Sequence, residues 1–343
     1  MGDSEDTQVP SVGAKILVVK LSSLGDVIQT MPVVSDILQA RPETQIDWVV
    51  EEAFAPLVER VSGLRCVLPI AERRWRKSKS DLATRSEKLA FIKQLQSEQY
   101  DVVIDFQGLI KSALVARQAR VAAGGFRATY ANASDACSYE WPVRWMLDRT
   151  VPMPQRIHAV ARYRWLAAKV MGYEVAQPAC YRFDLPERHG AFDAQPVIVF
   201  AHGTTRADNE WPEADWHKLG QRLMADGFQI VLPHSGAQEL AWAQRRADVL
   251  GCGAKVWPAM DLAQVLDCMA QAVGVIGVDS GLSHLAVALD LPHVQIFSQP
   301  RAWRAGPVGQ LHQVAVGGDA APSVDTVCQA WRDVVAAKSA LKL

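Results

Sequence analysis

Apolar and polar positions alternate in a regular order along the chain. Continuous apolar runs such as 14–20 and 46–50 have the length of strands that are buried on both faces of a parallel sheet. They alternate with longer stretches whose apolar residues recur at helical spacing, as in 27–40. This repeated order of strands and helices predicts an α/β fold with doubly wound parallel sheets.

The pattern falls into two series. In the first series we predict helices at 53–61, 81–98 and 158–171, strands at 65–68 and 101–105, and an irregular segment at 122–154. In the second series we predict strands at 197–201, 229–232, 255–257, 274–278 and 293–297, and a last helix at 323–341. Prolines and glycines separate the two series and so indicate a boundary between domains. The predicted order is a flexible tail 1–13, a first domain 14–172, a linker 173–195, a second domain 196–322 and a C-terminal helix 323–343 that can pack back on the first domain.

Composition narrows the possible functions. The 343 residues are 49% hydrophobic and 21% charged, as in a globular protein with two cores. A net charge of -1 gives no basic field of the kind that binds nucleic acid. The six cysteines lack the density of a disulfide framework, which fits a cytoplasmic protein with reduced thiols. Because no apolar run reaches about 18 residues, contact with a membrane is predicted to be peripheral.

A polar turn, Lys20 to Asp26, follows the first predicted strand, where doubly wound folds bind ligands. The hydroxyls of Ser22 and Ser23, beside Gly25, can hold a phosphate together with backbone N–H groups. The carboxylate of Asp26 is a competent general base for a sugar hydroxyl. Alternatively, Asp26 only stabilises the first helical turn, where negative charge is favoured. The turn matches neither the glycine pattern of dinucleotide-binding proteins nor a Walker loop.

A second polar turn, 279–284, follows the apolar run 273–278. The helix that it opens carries unpaired N–H groups and about half a positive charge at its start, which suits a diphosphate leaving group. His284 either donates to a phosphate or packs in the core as a lone histidine of an apolar helix. The candidate binding residues here are Asp279, Ser280, Gly281, Leu282, Ser283 and His284.

A third polar segment, 202–212, follows the first strand of the second series. Hydroxyls of Thr204 and Thr205 and the guanidinium of Arg206 offer a further surface, which faces either a phosphate or the acceptor. The alternative is a polar loop that Trp211 anchors.

A basic cluster at 73–79 contains five cations, Arg73, Arg74, Arg76, Lys77 and Lys79. In a parallel sheet it lies at the same edge as Asp26, a position that suits a polyanionic substrate and an anionic membrane surface. The alternative is a solvated charged face. Trp75 either anchors this segment or stacks on a sugar ring.

Six segments, in order, resemble the heptosyltransferase I enzymes of glycosyltransferase family 9. They are 20–26, 47–52, 73–77, 105–112, 202–212 and 279–284, and the resemblance covers about 14–335. It implies a GT-B fold, with two Rossmann-like domains facing a central cleft. It also implies inverting transfer of L-glycero-D-manno-heptose from an ADP-heptose donor to the Kdo of a Kdo-lipid A acceptor in lipopolysaccharide inner-core synthesis. The implied location is cytoplasmic, peripheral on the anionic inner face of the inner membrane, with no cofactor, metal or nucleic acid.

The resemblance also implies residue roles. Asp26 is the catalytic base, and Ser22, Ser23 and Gly25 shape its turn. The first domain binds the sugar acceptor and the second binds the nucleotide sugar. The implied donor-binding residues are Thr204, Thr205, Arg206 and 279–284, and the implied acceptor-binding residues are Arg73, Arg74, Arg76, Lys77, Gln107 and Lys111.

Two departures limit this transfer of roles. Asn209 and Glu210 stand where the family pattern has a lysine before Trp-Pro, so the contact with the sugar phosphates must come from Arg206 or another cation. The segment 131–154 also matches poorly, so acceptor-side roles there are not carried over. Two other functions stay open: another GT-B nucleotide-sugar transferase or epimerase, and a non-catalytic carbohydrate-binding module.

Overall fold

A computed structural model describes residues 13–78, 81–135, 137–175, 178–186, 195–204 and 206–341. Most of the predicted tail, part of the predicted linker and Thr205 therefore lie outside the described residues. The chain divides into two compact units between Asp184 and Leu185. Each unit holds a six-stranded parallel sheet with helices, which confirms the predicted α/β class.

The first unit has the strand order β3-β2-β1-β4-β5-β6. Its strands are β1 (Lys15–Val19), β2 (Gln45–Glu51), β3 (Leu64–Ile70), β4 (Gln99–Asp105), β5 (Arg120–Tyr130) and β6 (Arg149–Val151). Its helices are α1 (Leu24–Thr30), α2 (Pro32–Ala40), α3 (Ala55–Val58), α4 (Glu72–Lys77), α5 (Leu82–Leu95), α6 (Ile110–Gln118) and α7 (Ala159–Met171), with 3-10 helices at Glu52–Phe54 and Trp141–Trp145.

The second unit has the strand order β12-β11-β10-β7-β8-β9. Its strands are β7 (Val197–Ala201), β8 (Gln229–Leu232), β9 (Ala254–Val256), β10 (Gly274–Val278), β11 (His293–Phe297) and β12 (Gln313–Gly317). Its helices are α8 (Glu213–Ala225), α9 (Gly236–Leu250), α10 (Leu262–Ala270), α11 (Gly281–Ala288), α12 (Ala302–Ala305) and α13 (Val324–Ala340), with 3-10 helices at Ala207–Asn209 and Gly251–Gly253.

The helices of the first unit form two groups. Side chains of α4, α5, α6 and the 3-10 helix Trp141–Trp145 share one core cluster with β1, whereas α7 packs against α1 and α2. Right-handed crossovers put these two groups on opposite faces of the sheet. In β1, Leu17 and Val19 enter the first cluster, as the alternation of strand side chains requires.

Several predictions of local structure were wrong. The segment 122–154, predicted as irregular, contains most of β5, a 3-10 helix and β6. Small residues conceal the strand pattern of β5, and a Cβ at Gly125 would lie 2.9 Å from the carbonyl oxygens of Tyr100 and Asp101. The helix predicted at 27–40 is two helices, because Pro32 begins a new one. Strand β12 was not predicted.

The last helix, α13, packs against α8, β11 and β12 of its own unit. Its predicted return across the first domain stays a prediction. Among the described residues, no helix combines the length and the apolar character that a membrane span requires.

Candidate functional site

Asp26 is the third residue of α1, half-buried just beyond the end of β1. Its Oδ2 accepts hydrogen bonds from the backbone N–H of Ser23 at 3.2 Å and from the Ser23 hydroxyl at 2.8 Å. The carboxylate thus reaches back over the first turn and helps to cap α1. These bonds agree with the alternative that Asp26 stabilises the first helical turn. They occupy one of the two carboxylate oxygens.

The other oxygen of Asp26 belongs to a buried chain of hydrogen bonds. Oη of Tyr163 donates to Oδ1 of Asp26 at 2.8 Å, and Nζ of Lys20 donates to Oη of Tyr163 at 3.1 Å. Burial raises the pKa of Tyr163 well above its usual value, so the hydroxyl keeps its proton. Burial also lowers the pKa of Lys20 to about 8, although the charge of Asp26 opposes this shift. Sequence reasoning missed Tyr163, which is 137 residues away from Asp26 along the chain.

Gln107 and Lys111 both contact the turn before α1. Oε1 of Gln107 accepts from the backbone N–H groups of Leu21 at 2.9 Å and Ser22 at 3.1 Å, and Nζ of Lys111 donates to Oγ of Ser22 at 3.4 Å. Gln107 is buried, and these bonds fix the backbone of the turn from the protein interior. Lys111 adds a half-buried positive charge beside it. The structure therefore brings these two predicted residues together with Ser22.

The basic cluster forms the helix α4 rather than a loop. Trp75 is buried, donates its Nε1–H to Oε2 of Glu87 at 2.7 Å and packs edge-on against Phe91. Of the two roles considered for Trp75, the structure supports the anchor, because a buried ring is not available to stack on a sugar.

The cations of α4 differ in how far they are neutralised. Arg74 forms ion pairs with Glu52 at 3.0 Å and Glu87 at 2.8 Å, so two carboxylates balance its charge. Arg73, Arg76 and Lys77 are exposed at the carboxyl edge of the sheet. Lys79 lies outside the described residues.

In the second unit, Asp279 follows the central strand β10 and is held from three sides. Its Oδ1 lies 3.4 Å from Nε2 of His284 and 3.2 Å from Nε2 of Gln295, and its Oδ2 lies 3.4 Å from Nδ2 of Asn209. Burial acts to raise the pKa of Asp279, but the hydrogen bond and charge of His284 and the charges of two arginines outweigh it and hold this pKa below its usual value. His284 is buried, yet it binds Asp279 as well as packing in the core.

The turn after Asp279 opens the N-terminus of α11. Oγ of Ser280 accepts from the backbone N–H of Ser283 at 3.5 Å, and the Ser283 hydroxyl donates to the carbonyl of Val278 at 2.6 Å. Gly281 and Leu282 are the first residues of α11, where backbone N–H groups have no acceptor within the helix. Such a turn is suited to an anion.

Gly277 is required for the close packing beneath this turn. A Cβ at this position would lie 2.5 Å from the Cβ of Ala201 and 2.5 Å from Oγ of Ser283. We expect Gly277→Ala to lower the free energy of unfolding by about 1–3 kcal/mol, because β7 and α11 must move apart. Urea unfolding of the two proteins checks this, and an unchanged midpoint would contradict it.

The predicted segment 202–212 approaches Asp279 from β7. The hydroxyl of Thr204 lies 3.5 Å from the carbonyl oxygen of Asp279 and accepts from the backbone N–H of Arg206 at 3.3 Å. The guanidinium of Arg206 pairs with Asp208 at 3.0 Å. Asn209, at the position of the expected lysine, is buried and turns its neutral amide to Asp279.

Two arginines that sequence reasoning missed lie in the segment after β11. Nη2 of Arg301 is 3.3 Å from Oδ2 of Asp208. The charges of Arg304 and Arg301 both act to lower the pKa of Asp279. Because β10 lies between β11 and β7, the segments that follow these two strands flank the start of α11. Arg301 and Arg304 could have been predicted from the sequence, because the carboxyl ends of parallel strands lie at one edge of a sheet and both residues follow such a strand.

Comparisons with known proteins agree with this architecture. The profile of glycosyltransferase family 9 (heptosyltransferase) matches residues 88–330. Lipopolysaccharide heptosyltransferase 1 of Pseudomonas aeruginosa is 36% identical over 318 residues, which are 92% of this chain and 87% of that protein. Its namesake in Escherichia coli K12 is 37% identical over 308 residues, which are 88% of this chain and 92% of that protein.

Solved structures give the same result. Escherichia coli heptosyltransferase WaaC with ADP superposes with a TM-score of 0.82 at 34% identity, over 93% of this chain and 99% of that chain. WaaC with ADP-2-deoxy-2-fluoro heptose gives a TM-score of 0.77 at 35% identity, over 92% and 98% of the two chains. The likeness confirms the predicted GT-B fold class and the glycosyltransferase prediction. The chain belongs to glycosyltransferase family 9, the family of the heptosyltransferases.

Proposed function

We propose that the enzyme transfers L-glycero-D-manno-heptose from ADP-heptose to the Kdo of Kdo-lipid A, with inversion at the anomeric carbon. The observation that carries this proposal is the Asp26 carboxylate, which Ser23 and Tyr163 hold in the turn after β1, where doubly wound folds bind ligands. The names of the similar proteins and the ADP and sugar analogue of the WaaC structures support the choice of donor.

Asp26 acts as the general base in this proposal. The two oxygens of a carboxylate offer about four acceptor positions, so the bonds from Ser23 and Tyr163 leave room for the hydroxyl of the sugar acceptor. That hydroxyl attacks the anomeric carbon, its proton passes to Asp26, and the bond from this carbon to the diphosphate oxygen breaks. A single displacement of this kind inverts configuration and releases ADP.

The second unit binds the donor. The diphosphate gains negative charge as it leaves, and the first N–H groups of α11 are fixed donors that can stabilise this charge. Arg206, Arg301 and Arg304 supply positive charge around Asp208 and Asp279, in the region where Asn209 is neutral. Thr204 and His284 complete this surface.

The first unit binds the acceptor. Exposed Arg73, Arg76 and Lys77 on α4, with Lys111 beside Ser22, suit the carboxylates and phosphates of Kdo-lipid A. Since this acceptor is anchored in a bilayer, we infer that the enzyme works at the anionic cytoplasmic face of the inner membrane.

The decisive experiment measures ADP release by the purified protein from ADP-heptose, with and without Kdo-lipid A. Release that depends on the acceptor, with a product of inverted anomeric configuration, is the expected result. Release at equal rates without the acceptor would show hydrolysis and contradict the proposal. Turnover with a different nucleotide sugar, and none with ADP-heptose, would show that the proposed donor is wrong.

Titration of the buried Lys20 is expected to change kcat and the free energy of unfolding in opposite directions as pH rises. As pH rises through about 8, Lys20 loses its proton and its charge no longer supports the Tyr163 bond to Asp26, so we expect kcat to fall. An unfolded lysine keeps its proton up to about pH 10.5, so the unfolded state binds more protons in this window and stability rises with pH.

Kinetics and urea unfolding between pH 7 and 10 measure both effects. Tyr163→Phe is the control for activity. Without the hydroxyl kcat should be lower and should fall less as Lys20 titrates, because only the through-space interaction between Lys20 and Asp26 remains. Lys20→Met is the control for stability, and subtracting its profile isolates the contribution of this one group. An equal alkaline fall in kcat for wild type and Tyr163→Phe would contradict the assignment.

A further inference from the structure

One face of the first unit exposes six large apolar side chains. It is the face formed by α4, α5, α6 and the 3-10 helix Trp141–Trp145, here called the apolar face. The exposed fractions are 77% for Leu82, 68% for Leu89, 40% for Ile110, 49% for Leu114, 62% for Trp141 and 67% for Trp145. On the opposite face, the described residues of α1, α2 and α7 expose one such side chain, Trp165, at 38%. Clustering on one face distinguishes these residues from the scattered apolar residues of any protein surface.

The six side chains come in pairs at regular spacing. Leu82 and Leu89 are seven residues apart on α5, and Ile110 and Leu114 are four apart on α6, so each pair lies on one side of its helix. The rings of Trp141 and Trp145 meet edge to face, with centroids 4.8 Å apart. Neighbouring residues of the same elements, such as Phe91, Ala113 and Val143, fill the core, so the exposed set forms a second apolar side.

On the helices of this face, exposed cations outnumber exposed carboxylates. The guanidinium of Arg144 lies 5.5 Å from the ring of Trp145, and Arg117 is exposed on α6. Exposed cations of α4 and α5 extend the positive charge along the face; they are Arg76, Lys77, Arg85 and Lys93. Tryptophan is enriched at the headgroup level of bilayers, and each nearby lysine or arginine adds attraction to anionic lipid. The combination is typical of a surface that lies on an anionic membrane.

The apolar face begins beside the turn that carries Ser22 and Asp26. The backbone N–H of Ile110 donates to Oε2 of Glu140 at 2.6 Å, and the backbone N–H of Glu140 donates to the carbonyl of Gly108 at 3.0 Å. These bonds hold the start of the tryptophan segment against the start of α6. The next residue of that helix is Lys111, and its Nζ lies 3.4 Å from Oγ of Ser22. Ser22 is four positions before Asp26 in the chain. A bilayer on this face would therefore lie next to the turn that carries the proposed base.

We propose that the apolar face docks the enzyme on an anionic phospholipid bilayer, with Trp141 and Trp145 inserted at the headgroup level. This inference rests on the proposed function, because a lipid-linked acceptor stays in the bilayer while its sugar reaches Asp26.

The test measures binding of the full chain to sedimented vesicles of phosphatidylcholine, with and without phosphatidylglycerol. Wild type should bind the vesicles that contain phosphatidylglycerol. Trp141→Ala/Trp145→Ala should bind them at least about tenfold more weakly, since it loses two apolar side chains from the interface. The control Trp165→Ala removes an exposed tryptophan from the opposite face and should bind like wild type. Because Trp141 and Trp145 are largely exposed, the double variant should keep the wild-type melting temperature.

A second measurement separates docking from turnover. With a deacylated, soluble acceptor, the double tryptophan variant should keep the wild-type kcat/KM, and with an acceptor embedded in vesicles its kcat/KM should fall. Equal vesicle binding by wild type and the double variant would overturn the proposal. A wild-type dimer that the double variant converts to a monomer would also overturn it, because the face would then join two copies. A wild type that is inactive on both acceptors would contradict the proposed function. It would leave the docking proposal to be decided by vesicle binding, which is measured without any turnover.

Discussion

Asp26→Asn is expected to lower kcat by about 10²- to 10⁴-fold, the usual contribution of a general base. The affinity for ADP should stay that of wild type, because a base acts in the transition state and not in ground-state binding of the donor. Asparagine keeps the size of the side chain. Its oxygen can take the place of Oδ2 and accept from Ser23, and its amide nitrogen then donates to the hydroxyl oxygen of Tyr163, so the fold should be retained. Single-turnover release of ADP and calorimetric titration with ADP measure the two quantities.

Asp135→Asn is the matched control, since it neutralises an exposed carboxylate of the same unit. It should turn over like wild type. If Asp26→Asn instead lost ADP affinity and thermal stability together with kcat, Asp26 would be a capping residue rather than the base. A kcat within the error of wild type would lead to the same conclusion.

The second large effect is expected for the double variant Arg301→Ala/Arg304→Ala, whose affinity for ADP should fall by about 100-fold. Each arginine is expected to make a charge-assisted bond to the diphosphate, and each such bond contributes about tenfold in affinity. The affinity for adenosine should not change, because adenosine lacks the phosphates. Replacement of both residues by lysine should restore a large part of the ADP affinity, since the charge remains.

Arg245→Ala/Arg332→Ala is the matched control for lost charge in the second unit. Both arginines are exposed, and each lies several residues into its helix, α9 or α13, beyond the first turns that follow the strand ends. This control should bind ADP like wild type. Equal losses of ADP and adenosine affinity in the Arg301 and Arg304 variant would indicate a disturbed fold and contradict a role in diphosphate binding.

Sequence reasoning found the polar turns that follow apolar runs. Asp26 and Asp279 were identified because a buried parallel strand must end at the ligand-binding edge, and the residues after it are close in the chain. The same logic placed the third segment at 202–212. Local pattern was sufficient in these cases because strand, turn and helix start lie within a few residues of each other.

Contacts between distant segments could not be predicted in this way. Tyr163 sits on a helix whose pattern resembles any other core helix, and its bond to Asp26 exists only after β6 and α7 have packed. The neutralisation of Arg74 required α4 to lie beside Glu87 of α5. The exposure of Trp141 and Trp145 was likewise hidden, since tryptophan normally predicts core.

The position of Asp26 at the start of α1 links the chemistry to a local motion. The same Oδ2 that belongs to the proposed base accepts both bonds from Ser23 that cap the helix. In the proposed mechanism the carboxylate takes up a proton in each turnover, and these bonds then weaken, because a neutral carboxyl group accepts less strongly than a carboxylate. If Asp26 is the base, the first turn of α1 is therefore loosened once in every catalytic cycle, when the proton is transferred, and is tightened again when the proton is released.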